Sequence, residues 1–163
     1  TDCALNVVPD LLTKKDILQN AIDFAHALDI EQPKVAILAA VEEVKPQMQS
    51  TIDAAALCKM ADRGQITGAL LDGPLAFDNA ISQQSADIKH IHSPVTGDVD
   101  ILLVPDLEAG NMLGKQLIYL GEAKAAGIVM GSKVPIVLTS RSDDELDRLY
   151  SIALGAYVAQ KRK

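Results

Sequence analysis

Three short runs in this chain are apolar at almost every position, not at every second one. They are residues 35–40 (VAILAA), 66–71 (ITGALL) and 100–104 (DILLV). A strand with one face in water alternates apolar and polar residues, whereas a strand without alternation is covered on both faces. Residues 134–138 (VPIVL) read as a fourth such strand.

Helical patterns lie between these runs. Thr13 with Asp16 marks a helix start, with Ile17, Ala21, Phe24 and Leu28 on one stripe and Pro33 ending the pattern. Ser50 or Thr51 caps a second helix that turns Ile52, Ala55, Ala56 and Met60 inward and closes at Gly64. Residues 76–82 read as a short helix, 83–94 as undecided, and 107–120 as a loop leading into a helix. Ser142 starts a last helix with Leu146, Leu149, Ile152, Ala153 and Ala156 inward. This alternation predicts an α/β chain, three-layered α/β/α, around a mostly parallel sheet. The core is aliphatic of necessity, since 48% of the 163 residues are hydrophobic and only 3% aromatic.

Several function classes drop out. A formal net charge of −7 leaves no basic stripe for non-specific nucleic-acid binding, and Lys161-Arg162-Lys163 reads as a solvated helix end. No apolar run approaches the roughly 20 residues of a membrane span, and no signal-peptide pattern is present, so no membrane partner is expected. Cys3 and Cys58, the only cysteines, fit a reducing, cytoplasmic setting. Cys58 reads as a packing residue and His26 as a helix-boundary residue. His90 and His92 have no third ligand in view, so no metal site is expected. The phosphate loop of nucleotidases, the dinucleotide glycine fingerprint and the nucleophile elbow are all missing.

In open α/β sheets, ligands bind beyond the carboxyl ends of the strands. Asp72-Gly73-Pro74 follows the second run. Pro105-Asp106 follows the third, with Glu108, Gly110, Asn111 and Lys115 behind it. Thr139-Ser140-Arg141-Ser142-Asp143-Asp144 follows the fourth. Parallel strands would bring all three clusters to one end of the sheet. The last is the richest: free amides at a helix N-terminus attract anions, Arg141 adds a forked phosphate contact, and Asp144 offers a proton acceptor. Each cluster also has a plain structural reading. Ser142-x-x-Glu145 is the spacing of a capping box, Asp-Gly-Pro ends strands, and Lys115 suits a solvated helix face.

Four segments resemble the phosphate acetyltransferase and phosphate butyryltransferase family. They are TDCALNVVPDLLTKKDI near the start, LLDGPLAFDNAIS, GDVDILLVPDLEAGNMLGK and VPIVLTSRSDD. The likeness spans essentially the whole chain and is greatest to the butyryltransferase-like branch, which includes fused enoyl-CoA hydratase/phosphate acetyltransferases. The resemblance implies an isocitrate dehydrogenase-like fold of two domains with the active site between them. This chain would be the second domain, with residues 142–163 as a closing helix against the first. It also implies a homodimer and transfer of acetyl or butyryl between coenzyme A and phosphate, with coenzyme A as substrate and no bound cofactor. Ser140 and Arg141 match the family's Ser-Arg pair, the Arg holding phosphate. Ser142 and Asp144 match a Ser-x-Asp whose Asp is the base, although the family's acetyltransferases have a longer stretch before it and Asp143 competes for the role. Asp72, Gly73, Asn111 and Lys115 match cleft positions. The expected chemistry is direct attack by the thiolate on the acyl phosphate in a ternary complex. The alternatives are a non-catalytic fragment or regulatory module that keeps the fold, and a dehydrogenase of related fold.

Overall fold

The computed structural model describes residues 1–161. The basic end of the chain lies outside it from Arg162 on. The elements run α1 (Leu11–Ala27), β1 (Lys34–Leu38), α2 (Gln49–Asp62), β2 (Leu70–Leu75), α3 (Phe77–Ile81), α4 (Gln83–Ile88), β3 (Ile101–Leu103), α5 (Leu107–Tyr119), β4 (Ile128–Val129), β5 (Ile136–Val137) and α6 (Glu145–Lys161). A parallel sheet has the order β2-β1-β3.

The core divides across that sheet as unalternated strands require. On one side Val35, Ile37 and Leu103 meet Leu18 and Ile22 of α1 and Ala54 and Leu57 of α2. On the other, Ala36, Leu38 and Val104 meet Leu75, Ala80 and Val95, with Leu113 of α5 packed alongside. The three-layer α/β/α expectation is met.

The second strand lies further along the chain than its apolar run. Residues 66–69 lead in, and Leu70–Leu75 pairs with β1. Ala36 faces Asp72 and Leu38 faces Leu75, so Gly73 and Pro74 oppose Ile37 alone. This β-bulge sends Leu71 and Leu75 to opposite cores, where an unbroken strand would keep them on one face. Asp72-Gly73-Pro74 is therefore inside the strand, not after it.

The fourth run does not join this sheet. The outer edge of β3 is occupied by the first residue: the Thr1 amino group donates to Leu102 O at 2.7 Å, and Val104 N donates to Thr1 O at 2.9 Å. Residues 136–137 pair antiparallel with 128–129 in a separate two-stranded ribbon. The helix starts also shift. Asp10, not Thr13, caps α1, accepting from Thr13 N at 2.8 Å. α2 has no side-chain cap. Thr51 turns its hydroxyl to Met48 O (2.8 Å) and Lys45 O (3.1 Å), fastening the loop ahead of the helix.

Candidate active site

The chain leaves β1 for β2 on one side and returns to β3 on the other. The sheet's topological switch point is thus between β1 and β3. A cavity of about 600 Å³ opens there. It is lined by the first turns of α1 (Asp10, Leu11, Lys14) and α2 (Gln49, Ser50, Ile52, Asp53), by Val8 and Pro9, and by Pro105-Asp106 after β3. In its wall Lys14 Nζ lies 2.7 Å from Asp53 Oδ2, with the two side chains 8% and 7% exposed. Gln49 Nε2 donates to the other Asp53 oxygen at 2.8 Å. Sequence reading passed over both charged residues. The available signal was Lys14 at the α1 position where the helix stripe called for an apolar side chain.

A second cavity, about 320 Å³, lies between the N-terminal segment 1–6, the Ile17–Phe24 face of α1 and residues 126–130. The predicted α1 stripe (Ile17, Ala21, Phe24) lines this cavity, while Leu18 and Ile22 meet the sheet and Ala25 is buried beside them on the helix. Asp2 organises the segment: its carboxylate accepts from the amides of Ala4 (2.9 Å), Leu5 (3.1 Å) and Asn6 (2.8 Å). Burial pushes this carboxyl up, but the hydrogen bonds outweigh it and hold the group below the usual range.

The predicted residues are not gathered by one sheet. Asn111 and Lys115 lie one turn apart on α5, both exposed, and Asn111 Nδ2 donates to Cys3 O at 3.3 Å. Lys115 makes no ion pair among the described residues. Asp72 and Gly73 lie on the far edge strand, under α2. A Cβ on Gly73 would come 2.8 Å from both Cβ and O of Ile37, so packing alone requires glycine there. Cys58 sits beside them; burial pushes its thiol up to about 12, with Asp72 adding to the effect.

The turn before α6 is held by its own side chains. Ser140 N donates to Asp143 Oδ2 at 2.6 Å, and the Ser140 and Ser142 hydroxyls lie 3.0 Å apart. Asp144, not Ser142, caps α6, with its Oδ1 accepting from Asp147 N at 2.8 Å. Ser140, Arg141, Ser142 and Asp144 are exposed, and Arg141 makes no ion pair among the described residues.

The last helix is turned over relative to its predicted inward face. Asp147, Ser151, Gly155 and Val158 are buried, while Leu146, Leu149 and Ile152 are 48%, 57% and 59% exposed. The buried stripe is polar because it satisfies backbone. Asp147 Oδ1 accepts from Ala125 N at 3.3 Å, and Ser151 Oγ accepts from Gly127 N at 3.0 Å. Among the described residues no group of side chains could hold a metal ion, and no helix is long and apolar enough to cross a membrane.

These features are accompanied by direct likeness to known proteins. The family model described as phosphate acetyl/butaryl transferase matches residues 1–156. The chain belongs to this family. It is 60% identical over its whole length to the phosphate acetyltransferase of Rhizobium meliloti, of which it covers 52%. It is 52% identical to the probable phosphate butyryltransferase of Bacillus subtilis over 99% of this chain and 54% of that protein. Among solved structures, it superposes on a branched-chain phosphotransacylase from Enterococcus faecalis with a TM-score of 0.89 at 37% identity, over 97% of this chain and 56% of the other. The chain therefore spans about half the length of the curated relatives it matches.

Proposed function

We propose that the protein carrying this chain moves a short acyl group, acetyl or butyryl, between coenzyme A and phosphate. The observation that carries this reading is the turn Ser140–Asp144, which presents Arg141, without an ion pair among the described residues, beside two hydroxyls at the head of α6 in a member of this family. An exposed guanidinium at such a turn suits a phosphate or acyl phosphate.

In the proposed ternary complex the base takes the proton of the coenzyme A thiol. The thiolate attacks the acyl carbonyl carbon, the carbon–oxygen bond to phosphate breaks, and phosphate leaves with the electron pair. Arg141 holds the phosphoryl oxygens and Ser140 or Ser142 donates to the carbonyl oxygen as it gains charge. Asp144 is the preferred base by its Ser-x-Asp match, and Asp143 competes on equal geometry: Asp144 accepts an amide on Oδ1 and keeps Oδ2 for a proton, while Asp143 accepts an amide on Oδ2 and keeps Oδ1. Asn111 and Lys115, exposed on α5, are the further cleft residues in this reading, whereas Asp72 lies within β2 on the far edge of the sheet. No cofactor takes part.

The exposed stripe Leu146, Leu149 and Ile152 suits a closing helix that packs on the remaining half of a two-domain enzyme. A cytoplasmic homodimer is the proposed setting. Arg141→Ala in the full-length enzyme tests the reading. Acyl transfer from acetyl or butyryl phosphate to coenzyme A is expected to fall by about a hundredfold or more, and an unchanged rate would remove Arg141 from the mechanism.

A further inference from the structure

The buried pair Lys14–Asp53 has no part in the chemistry assigned to the Ser140–Asp144 turn. Stability does not account for it either. Taking two charges out of water costs about what their attraction returns, and apolar replacements of such pairs are often neutral or stabilising. The position of the pair is what sets it apart, since both side chains line the cavity at the switch point of the sheet, where α/β folds bind their ligands.

An ammonium carries three N–H donors. Asp53 Oδ2 is the one side-chain acceptor that Lys14 Nζ reaches among the described residues. Asp53 is itself fully engaged, with Lys14 on one oxygen and Gln49 on the other. The pair is thus a nearly buried ammonium with donors left over, on a side chain that lines an open cavity. The charges around it select what those donors can meet. Asp10 and Asp106 also line the cavity, and each has one oxygen tied to its own helix amide. With Asp53, three aspartates and one lysine line the cavity, a balance that disfavours a phosphoryl group. Val8, Leu11 and Ile52 supply apolar wall.

We infer that Lys14, held by Asp53, is a substrate-binding residue that donates to an uncharged carbonyl oxygen in this cavity. The inference rests on the acyltransferase reading. Both proposed substrates carry such an oxygen: the acyl group of the acyl phosphate, and the amides in the arm of coenzyme A.

The test uses the full-length enzyme with Lys14→Met/Asp53→Leu, which removes both charges together. The variant is expected to keep its melting temperature while KM for one substrate rises about tenfold at unchanged kcat, the loss of one charged hydrogen bond. A rise for coenzyme A assigns the amide arm; a rise for acyl phosphate assigns the acyl carbonyl. Lys14→Arg, which keeps both donors and charge, is expected to stay within threefold of the parent. If the double variant does not fold, Lys14→Gln/Asp53→Asn is read in the same way. A folded variant with both KM values unchanged overturns the inference, as does Lys14→Arg losing as much as the double variant. Calorimetric titration with D-pantetheine and with acetyl phosphate separates this failure from failure of the acyltransferase reading, because it needs no turnover. If neither affinity falls in the variant, Lys14 binds no substrate carbonyl, whatever the enzyme catalyses.

Discussion

Asp144 Oδ1 accepts the Asp147 amide at 2.8 Å, so the carboxylate proposed as the base is also the cap of α6. The two roles separate by substitution. Asn preserves a cap but cannot take a proton, whereas Ala does neither. Asp144→Asn in the full-length enzyme is expected to lower kcat by about a hundredfold or more with the melting temperature unchanged. Asp144→Ala is expected to lose about 1 kcal/mol of stability besides. If Asp144→Asn is fully active and Asp143→Asn is not, the base is Asp143.

Gly73 tests packing against binding. Its Cβ position is 2.8 Å from Ile37 Cβ and O and 3.3 Å from Ala54 Cβ. Gly73→Ala is expected to cost about 1–3 kcal/mol by overpacking, measured by denaturant unfolding. A variant of unchanged stability would show that β2 can move and that glycine there serves a ligand.

Cys58 and Cys3 are expected to differ in reactivity. Burial, with help from Asp72, raises the Cys58 thiol to about 12, so the reactive thiolate is scarce at neutral pH. Cys3 is exposed. Iodoacetamide at neutral pH is expected to label Cys3 in the folded protein and Cys58 only after denaturation, with peptide mapping as the readout. Rapid native labelling of Cys58 would contradict the packing of α2 on β2.

Asp2 gives a pH dependence with a definite sign. Its folded carboxyl is held below the ordinary value of about 3.9, so its contribution is complete above that value and is lost as pH falls through the folded one. Hydrogen-exchange protection of the Ala4, Leu5 and Asn6 amides is expected to hold at neutral pH and to fall selectively in strong acid. Asp2→Asn is expected to reduce that protection at neutral pH.

The layered fold was legible because burial on both faces leaves a run such as residues 35–38 no polar alternate, and the central strand lies there. Other elements were set by partners that one segment does not display. Leu70–Leu75 takes its register from a bulge opposite Ile37, so a strand read from apolar residues alone starts too early. Residues 136–137 have strand character, but Thr1 already occupies the edge of β3. Periodicity located the stripe Leu146, Leu149 and Ile152 on α6 correctly and its direction wrongly, since Asp147 and Ser151 are spent on the amides of Ala125 and Gly127. Ser140 and Arg141 stood out by residue type at a helix head. Lys14 and Asp53 did not, because a lysine and an aspartate 39 positions apart look solvated until two helices bring them together.

The most direct measurement is thioester formation from acetyl phosphate or butyryl phosphate and coenzyme A, catalysed by the full-length protein that carries residues 1–163. Acyl-coenzyme A formed with release of one phosphate per thioester, and lost on Arg141→Ala, is the expected result. A folded full-length protein that forms no thioester from either acyl phosphate would contradict the acyltransferase reading and leave a fold-retaining, non-catalytic module in its place.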